Sequence, residues 1–512
     1  MLKFPFAEVH RAGNFKHGAR VISLGGLTSF AAKAFVLAKL QAESGKTFVL
    51  VTDSNKELET WETDISFFSK ESRIAKLPAM DTDVYAGISP HAETLEERAL
   101  ALWNLSFAQP DFLLTSAKSI ITKTNSPQEI SDLGAILIRD REFPTNDLLA
   151  KLAGCGYVRE EPIKSIGEYS VRGGIIDVWS PDAENPVRIE FFGDTVDSIR
   201  EFDAETQLST NQLKEIRIAP MRPFSATAQD FKDWAFFAKE KFSDEKFARN
   251  LSDRTQFAEQ GEDFSGWEFM IPLVKPRNHS VFDFLKDCVF VFDEPPIIEQ
   301  CLEAFYENLD KHFAQITEQG EIGLNPDELF LTGKELREKL EKLKRIELRT
   351  LGKTAAVTDE EFQLSKSNGG NIFSGDSVSS RNPLFLFPAA ERSKDFGIGS
   401  RSTRKYHGNI REFAGDAKTE SASFVFQSNG IAERFSDILR DYNIVLDTSK
   451  ITIGELSGGF EIPAFNLKIF TESDIFGEST QGEFQAKTKD KRSKTKISAF
   501  VSDFRDLKTG DY

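Results

Sequence analysis

Cysteine is scarce in this sequence. Cys155, Cys288 and Cys301 are the only three among 512 residues, and they form neither a CxxC pair nor a Cys/His ligand spacing. A disulfide framework and a zinc centre are therefore not expected, and scattered thiols suit a reducing cytoplasm. No run of 18 apolar residues occurs, so no membrane span is expected. The opening MLKFPFAEVHRAGNFKHG lacks the apolar core of a secretory signal. Positive charge is in deficit: 64 Lys and Arg against 81 Asp and Glu give a formal net charge of −17. Phosphate backbones need local Lys/Arg neutralisation, so a broad nucleic-acid surface is disfavoured and protein is the default partner. Catalytic signatures are absent too, with no HExxH, GxSxG or Cys–His nucleophile pattern. His91 and His407 have no second ligand at metal spacing and read as helix-start and turn-flanking residues. No metal site is expected.

What is present is length, phenylalanine and α/β patterning. A chain of 512 residues implies three or four domains. Phe is used 46 times and Tyr 7 times, a habit of aromatic cores that points to no cofactor. ARVISL, GGLTS, FAAKAFVLAKLQAES and TFVLVTDS read as strand, turn, helix, strand, and DFLLTSAKSIITK (111–123) repeats the strand–helix style. This is parallel α/β material. From about 165 the pattern becomes short strands separated by Gly-Gly, Pro-Asp and Gly-Asp turns, a β-meander in a small α+β domain. CVFVFDEPP (288–296) returns to a buried strand, with helices to about 345. Residues 365–403, rich in Ser, Gly and Asn, read as a flexible loop, and a further small α/β unit follows. KTKDKRSKTK (487–496) reads as a solvated linker. The final TGDY resembles an edge strand cut from its partners, so a further domain is expected beyond it. The fold class is α/β multidomain: a parallel-sheet module with an inserted α+β meander, then a small α/β domain.

Ser44-Gly45-Lys46-Thr47 looks like the end of a phosphate-binding loop, but the order is wrong. A P-loop lies between a strand and the helix that follows it, whereas here a helix precedes and a strand follows. The first glycine position is Leu40, and Gly45 reads instead as a helix C-cap. The correct order occurs earlier, in GGLTSFAAKAF. Counting from Gly26, the second glycine is Ala31, the lysine is Ala32 and the hydroxyl residue is Lys33. At those positions nothing reaches the β/γ-phosphates and nothing holds Mg²⁺. Asp293 and Glu294, ending a buried strand, stand where the acidic partners of such a site would sit. The reading is a nucleotide-binding shape without its chemistry.

Four stretches carry a family resemblance: LPAMDTDVYAGISPHAETLEERALALWNL (77–105), YSVRGGIIDVWSPDAENPVRIEFFGDTVDSIREFDAETQLS (169–209), VFVFDEPP (289–296), and ITIGELSGGFEIP with IFTESDIFG (451–477). On them the chain resembles the N-terminal half of bacterial transcription-repair coupling factors, the Mfd family. Its first part resembles the excinuclease protein UvrB without a working ATPase. The resemblance implies a degenerate helicase-like module at 1–135 and 221–345, a domain at 136–220 that binds the excinuclease protein UvrA, and a third α/β domain at 346–480. It also implies a basic linker at 481–497 and the opening of a domain that binds RNA polymerase at 498–512. ATP, Mg²⁺, DNA translocation and polymerase contact belong, by the same resemblance, to domains beyond this chain. A regulatory C-terminal domain there is expected to mask the UvrA surface. Two other readings compete: a UvrB-like ATP-dependent DNA-processing component of an excinuclease, against which Ala32 speaks, and non-specific DNA binding, against which the net charge speaks.

The strand VRIEFF indicates which face is available. Side chains alternate, so Val187, Ile189 and Phe191 form a core face while Arg188, Glu190 and Phe192 form the other. Gly193-Asp194 makes a two-residue hairpin turn. An aromatic among charges on a wet face reads as a docking hot spot, or else as a residue covered by another part of the chain. Arg172 has a plain alternative as a salt-bridge partner of Asp177. By resemblance Arg172, Arg188 and Phe192 contact UvrA, with Glu190 and Asp194 at the rim. Charge reversal at Arg188, or Phe192→Ala, is expected to abolish UvrA binding with the fold intact.

Overall fold

The computed structural model describes residues 20–350, 384–387, 393–416, 422–442, 444–445 and 447–477. Residues 1–19, most of the 365–403 stretch, the linker at 481–497 and the segment 498–512 lie outside the described residues. Strands are numbered β1 to β20 along the described chain. The chain forms two compact units, one from residues 1–127 and 228–477 and one from 128–227.

The first unit is built on a seven-stranded sheet, in the order β15-β1-β14-β13-β2-β4-β3. Its strands are β1 (Val21–Gly25), β2 (Phe48–Thr52), β3 (Ile74–Leu77), β4 (Phe112–Ser116), β13 (Val289–Asp293), β14 (Arg345–Arg349) and β15 (Ser393–Gly397). Every pairing in it is parallel. A parallel sheet is covered on both faces, which is why its strands read as unbroken apolar runs. The helix Phe30–Ser44 covers one face. Ser29 caps its start, accepting from the Ala32 N–H, and Gly45 ends it at φ +65°, donating to the Gln41 carbonyl at 2.8 Å.

Two expectations change here. The third domain was expected to open at 346, yet β14 spans Arg345–Arg349 and β15 pairs with β1, so residues beyond 346 complete the first sheet. β15 also falls in the tail of the stretch read as a flexible loop, because register with β1 supplies hydrogen bonds that a Ser/Gly count does not register.

A five-stranded sheet, order β16-β19-β20-β17-β18, forms from β16 (Arg401–Ser402), β17 (Ala422–Phe426), β18 (Ile451–Ile453), β19 (Phe460–Ile462) and β20 (Leu467–Thr471). One side of it holds a phenylalanine cluster of Phe413, Phe424, Phe426, Phe435 and Phe470. Val425, Phe460, Ile462 and Ile469 instead join the core of the first sheet. Phe460 lies 6.0 Å from Phe35 and 6.1 Å from Phe68. The TESDIF stretch is a capping box, in which Asp474 accepts from the Thr471 N–H and hydroxyl at 2.8 and 2.7 Å.

The second unit is a six-stranded sheet, order β11-β10-β9-β8-β7-β6, beside a two-stranded pair of β5 (Ala135–Ile138) and β12 (Glu215–Ile218). The six strands are β6 (Val158–Arg159), β7 (Glu168–Arg172), β8 (Ile175–Val178), β9 (Val187–Phe192), β10 (Thr195–Phe202) and β11 (Ser209–Gln212). From β7 to β11 they run as an antiparallel meander. Ile176, Val178, Val187, Ile189, Val196 and Ile199 pack with Leu148 and Leu152 of the helix Thr145–Gly154. That leaves the opposite face of the meander to carry chemistry. Among the described residues no helix is long and apolar enough to cross a membrane, and no group of His, Cys, Asp or Glu is arranged to hold a metal ion.

Candidate docking site

Hairpin register assembles the outer face of the meander. Arg172 pairs with Ile175 across the Gly173-Gly174 turn, and Asp177 then faces Ser170 on one side and Arg188 on the other. Asp177 is buried, with its side chain 2% exposed. Arg188 grips it with two donors, Nε to Oδ1 at 2.7 Å and Nη2 to Oδ2 at 2.9 Å. Arg172 donates to Oδ2 at 2.6 Å. The Arg188 guanidinium also lies 4.6 Å above the ring of Phe202, which is fully buried. The Asp177 hydrogen bonds push the Arg188 pKa above its ordinary value. One buried carboxylate therefore orients two guanidinium groups, and the trio keeps a net positive charge.

Glu190 is engaged by Arg200 and by the Ser198 hydroxyl. Asp194 is not a free rim charge: its Oδ1 accepts from the Thr145 N–H at 3.0 Å, tying the β9–β10 turn to the start of the helix Thr145–Gly154. Gly193 takes φ +64° in that turn, where a Cβ is strained. At its edge Phe192 is 84% exposed while Phe191, its neighbour, packs with the core. Alternation thus sorts the strand as the sequence implies, and none of the described residues of this unit covers the Phe192 ring.

The geometry alters one expectation. Arg188 was expected to tolerate charge reversal, but it is the main counter-ion of a buried carboxylate, so reversal places two negative groups together in a desolvated site. The salt-bridge alternative for Arg172 is what the structure contains, although its side chain remains 42% exposed. Sequence reasoning missed the sharing of Asp177, the Arg200–Glu190 pair and the Phe202 platform. Only the polar alternation hinted at them, because the Asp177–Arg188 register depends on how the 179–186 connection closes.

The nucleotide-like corner lies in the first unit. Gly26 has φ +80°, and a Cβ there would meet the Gly399 nitrogen at 3.0 Å. Ala31 and Ala32 are fully buried, and their side chains offer no donor to a phosphate. Two loop amides are already committed: Gly26 N–H donates to the Arg349 carbonyl and Thr28 N–H to Ser400 Oγ, at 3.0 and 2.9 Å. Lys33 bonds to both Asp293 and Glu294. The sequence placed these three residues at one corner without linking them.

A family model described as the UvrB interaction domain matches residues 136–224, which takes in the whole meander. Curated relatives match far more. The transcription-repair-coupling factor of Myxococcus xanthus is 26% identical over 99% of this chain. The chain is similar along nearly its whole length to transcription-repair-coupling factors. Those of Staphylococcus haemolyticus and Staphylococcus aureus strain bovine RF122 are 25% and 24% identical, each over 94% of the chain. The matched region covers 42%, 40% and 40% of those three transcription-repair-coupling factors, so the chain spans about two fifths of their length.

Proposed function

We propose that this chain is the recruitment region of a transcription-repair-coupling factor: a UvrB-like module whose inserted meander docks the excinuclease protein UvrA. In this reading the full-length family member acts on RNA polymerase stalled at a DNA lesion, releases it by ATP-driven translocation and recruits nucleotide excision repair. ATP, Mg²⁺, DNA and polymerase are then handled by parts of the family outside these residues, and the setting is the cytoplasm. The observation that carries the docking role is Phe192 standing free on the meander that matches the UvrB interaction domain, beside the Arg172–Asp177–Arg188 trio. An exposed aromatic next to a net positive, pre-oriented arginine pair suits a partner with an apolar pocket bordered by carboxylates. Phe192 and Arg172 supply contact, Arg188 supplies charge and shape, and Glu190 and Asp194 hold the frame. The test is UvrA binding by wild type, Phe192→Ala and Arg172→Ala; undiminished binding by both variants would remove the site assignment.

The competing reading, an ATP-dependent UvrB-like enzyme, is disfavoured by the Gly26 and Thr28 amides bonded within the chain and by Lys33 seated on the acidic pair. A clear rise in melting temperature with a non-hydrolysable ATP analogue would restore it.

A further inference from the structure

The outer face of the meander carries a small apolar cluster separate from the unit's core. Ile163, Trp179 and Phe202 pack together and are all buried, whereas the main core fills the other face. Strand phase explains the separation. Arg188 pairs with Arg200 across β9 and β10, and Phe202 lies two residues beyond Arg200 on the same face, diagonal to Arg188. Trp179 lies two residues beyond Asp177 and shares its phase. Register thus sets Arg188 opposite a like charge, with two carboxylates in its field, Asp177 and Glu190. The side chains divide them: Arg200 pairs with Glu190, and Arg188 turns to Asp177 with its guanidinium 4.6 Å above the Phe202 ring.

We propose that Phe202 is a positioning residue for docking: its ring, braced by Trp179 and Ile163, fixes the Arg188 guanidinium so that Nη1 is the end offered to the partner. This role rests on the reading of the face as the UvrA site. The negative face of the ring attracts the guanidinium and holds it from one side. Asp177 takes the edge formed by Nε and Nη2, at 2.7 and 2.9 Å, and Nη2 also points to Gln207 Oε1 at 3.5 Å. Nη1 is left without a partner among the described residues. A partner acceptor therefore meets a donor whose direction is set before contact, and less side-chain freedom is lost on binding. A lysine at 188 would keep the charge but has no planar fork with which to hold Asp177 by two donors and still aim a third.

The test measures UvrA association and dissociation rates by surface plasmon resonance on whole chains: wild type, Phe202→Leu, Arg188→Lys, and a chain with a ring-fluorinated phenylalanine at 202. Fluorination drains the negative face of the ring and keeps its shape, so it weakens the attraction without removing the packing. Phe202→Leu and the fluorinated chain should dissociate about three- to tenfold faster than wild type. Their association rates and salt dependence should not change, because the charge of Arg188 stays. Arg188→Lys should behave in the same way. A purely structural role would instead lower the melting temperature and the fraction of chain that binds, while the bound fraction dissociates as wild type does. If Phe202→Leu does not fold, the fluorinated chain decides. A wild-type dissociation rate for the fluorinated chain would overturn the role of Phe202, and weakened binding by Phe192→Ala alongside it would leave the docking reading in place. If neither Phe192→Ala nor Arg172→Ala weakens binding, the docking reading and the role of Phe202 fall together.

Discussion

At the residue scale, Phe192 and Arg188 divide the labour on one face. Phe192 contributes almost nothing to its own unit's core, being 84% exposed, so Phe192→Ala should leave the melting temperature within about 1 °C of wild type. If it is a central contact, UvrA affinity falls by about 2 kcal/mol, roughly thirtyfold, which surface plasmon resonance would read directly. Arg188→Glu behaves differently. It removes two hydrogen bonds from a buried Asp177 and adds a like charge, so the second unit should lose about 3 kcal/mol in urea unfolding. Loss of UvrA binding in that variant reports unfolding as much as contact, and Arg172→Ala is the cleaner probe of charge. Alternation along VRIEFF made the facing of these side chains legible. The Arg188–Asp177 pairing was not, because a cross-strand partner is chosen by register, and register here follows the connections between strands.

At the scale of elements, two buried acidic groups act differently: one joins segments distant in sequence, the other pairs along its own strand. Asp64, on the helix Leu58–Phe68, is fully buried and accepts from the Ser457 N–H at 2.8 Å and hydroxyl at 2.6 Å. It thus anchors the GELSGG loop to the first sheet's helical layer. Burial raises its carboxyl to about 6, with the Ser457 bonds opposing the rise. A carboxyl raised on folding favours the protonated fold, so its stabilisation is complete below the unfolded value near 3.8 and is lost as pH climbs through about 6. Asp64→Asn keeps the acceptor and removes the titration. Its melting temperature should therefore fall less than that of wild type between pH 5 and pH 7.5. The second group is Glu347 at the middle of β14, bonded at 2.8 Å to both Arg345 and Arg349. Glu347→Gln leaves two buried guanidinium groups short of a counter-ion and should cost about 3 kcal/mol in denaturant unfolding. RIELR breaks the apolar pattern of a parallel strand, and that break was the readable sign of a buried ionic strand.

At the scale of the whole molecule, the meander has its own core and its own complete sheet. Residues 128–227, expressed alone, should unfold in one cooperative transition and bind UvrA within about threefold of the full chain; a fragment without a cooperative transition would mean that the unit borrows stability from its neighbours. The sequence alone determined the alternation of strands and helices, the two-residue hairpin turn, the loss of phosphate-binding side chains at Ala31 and Ala32, and the sorting of VRIEFF into two faces. These follow from local periodicity and backbone chemistry, which act over a few residues. Only the tertiary structure decided that β14 and β15 complete the first sheet, that Phe460 packs against Phe35 and Phe68, that Asp177 serves two arginines, and that Lys33 closes on Asp293 and Glu294. Each of these joins residues through strand register or core packing. Such contacts are fixed by the mutual fit of whole elements, and no local stretch of sequence encodes them.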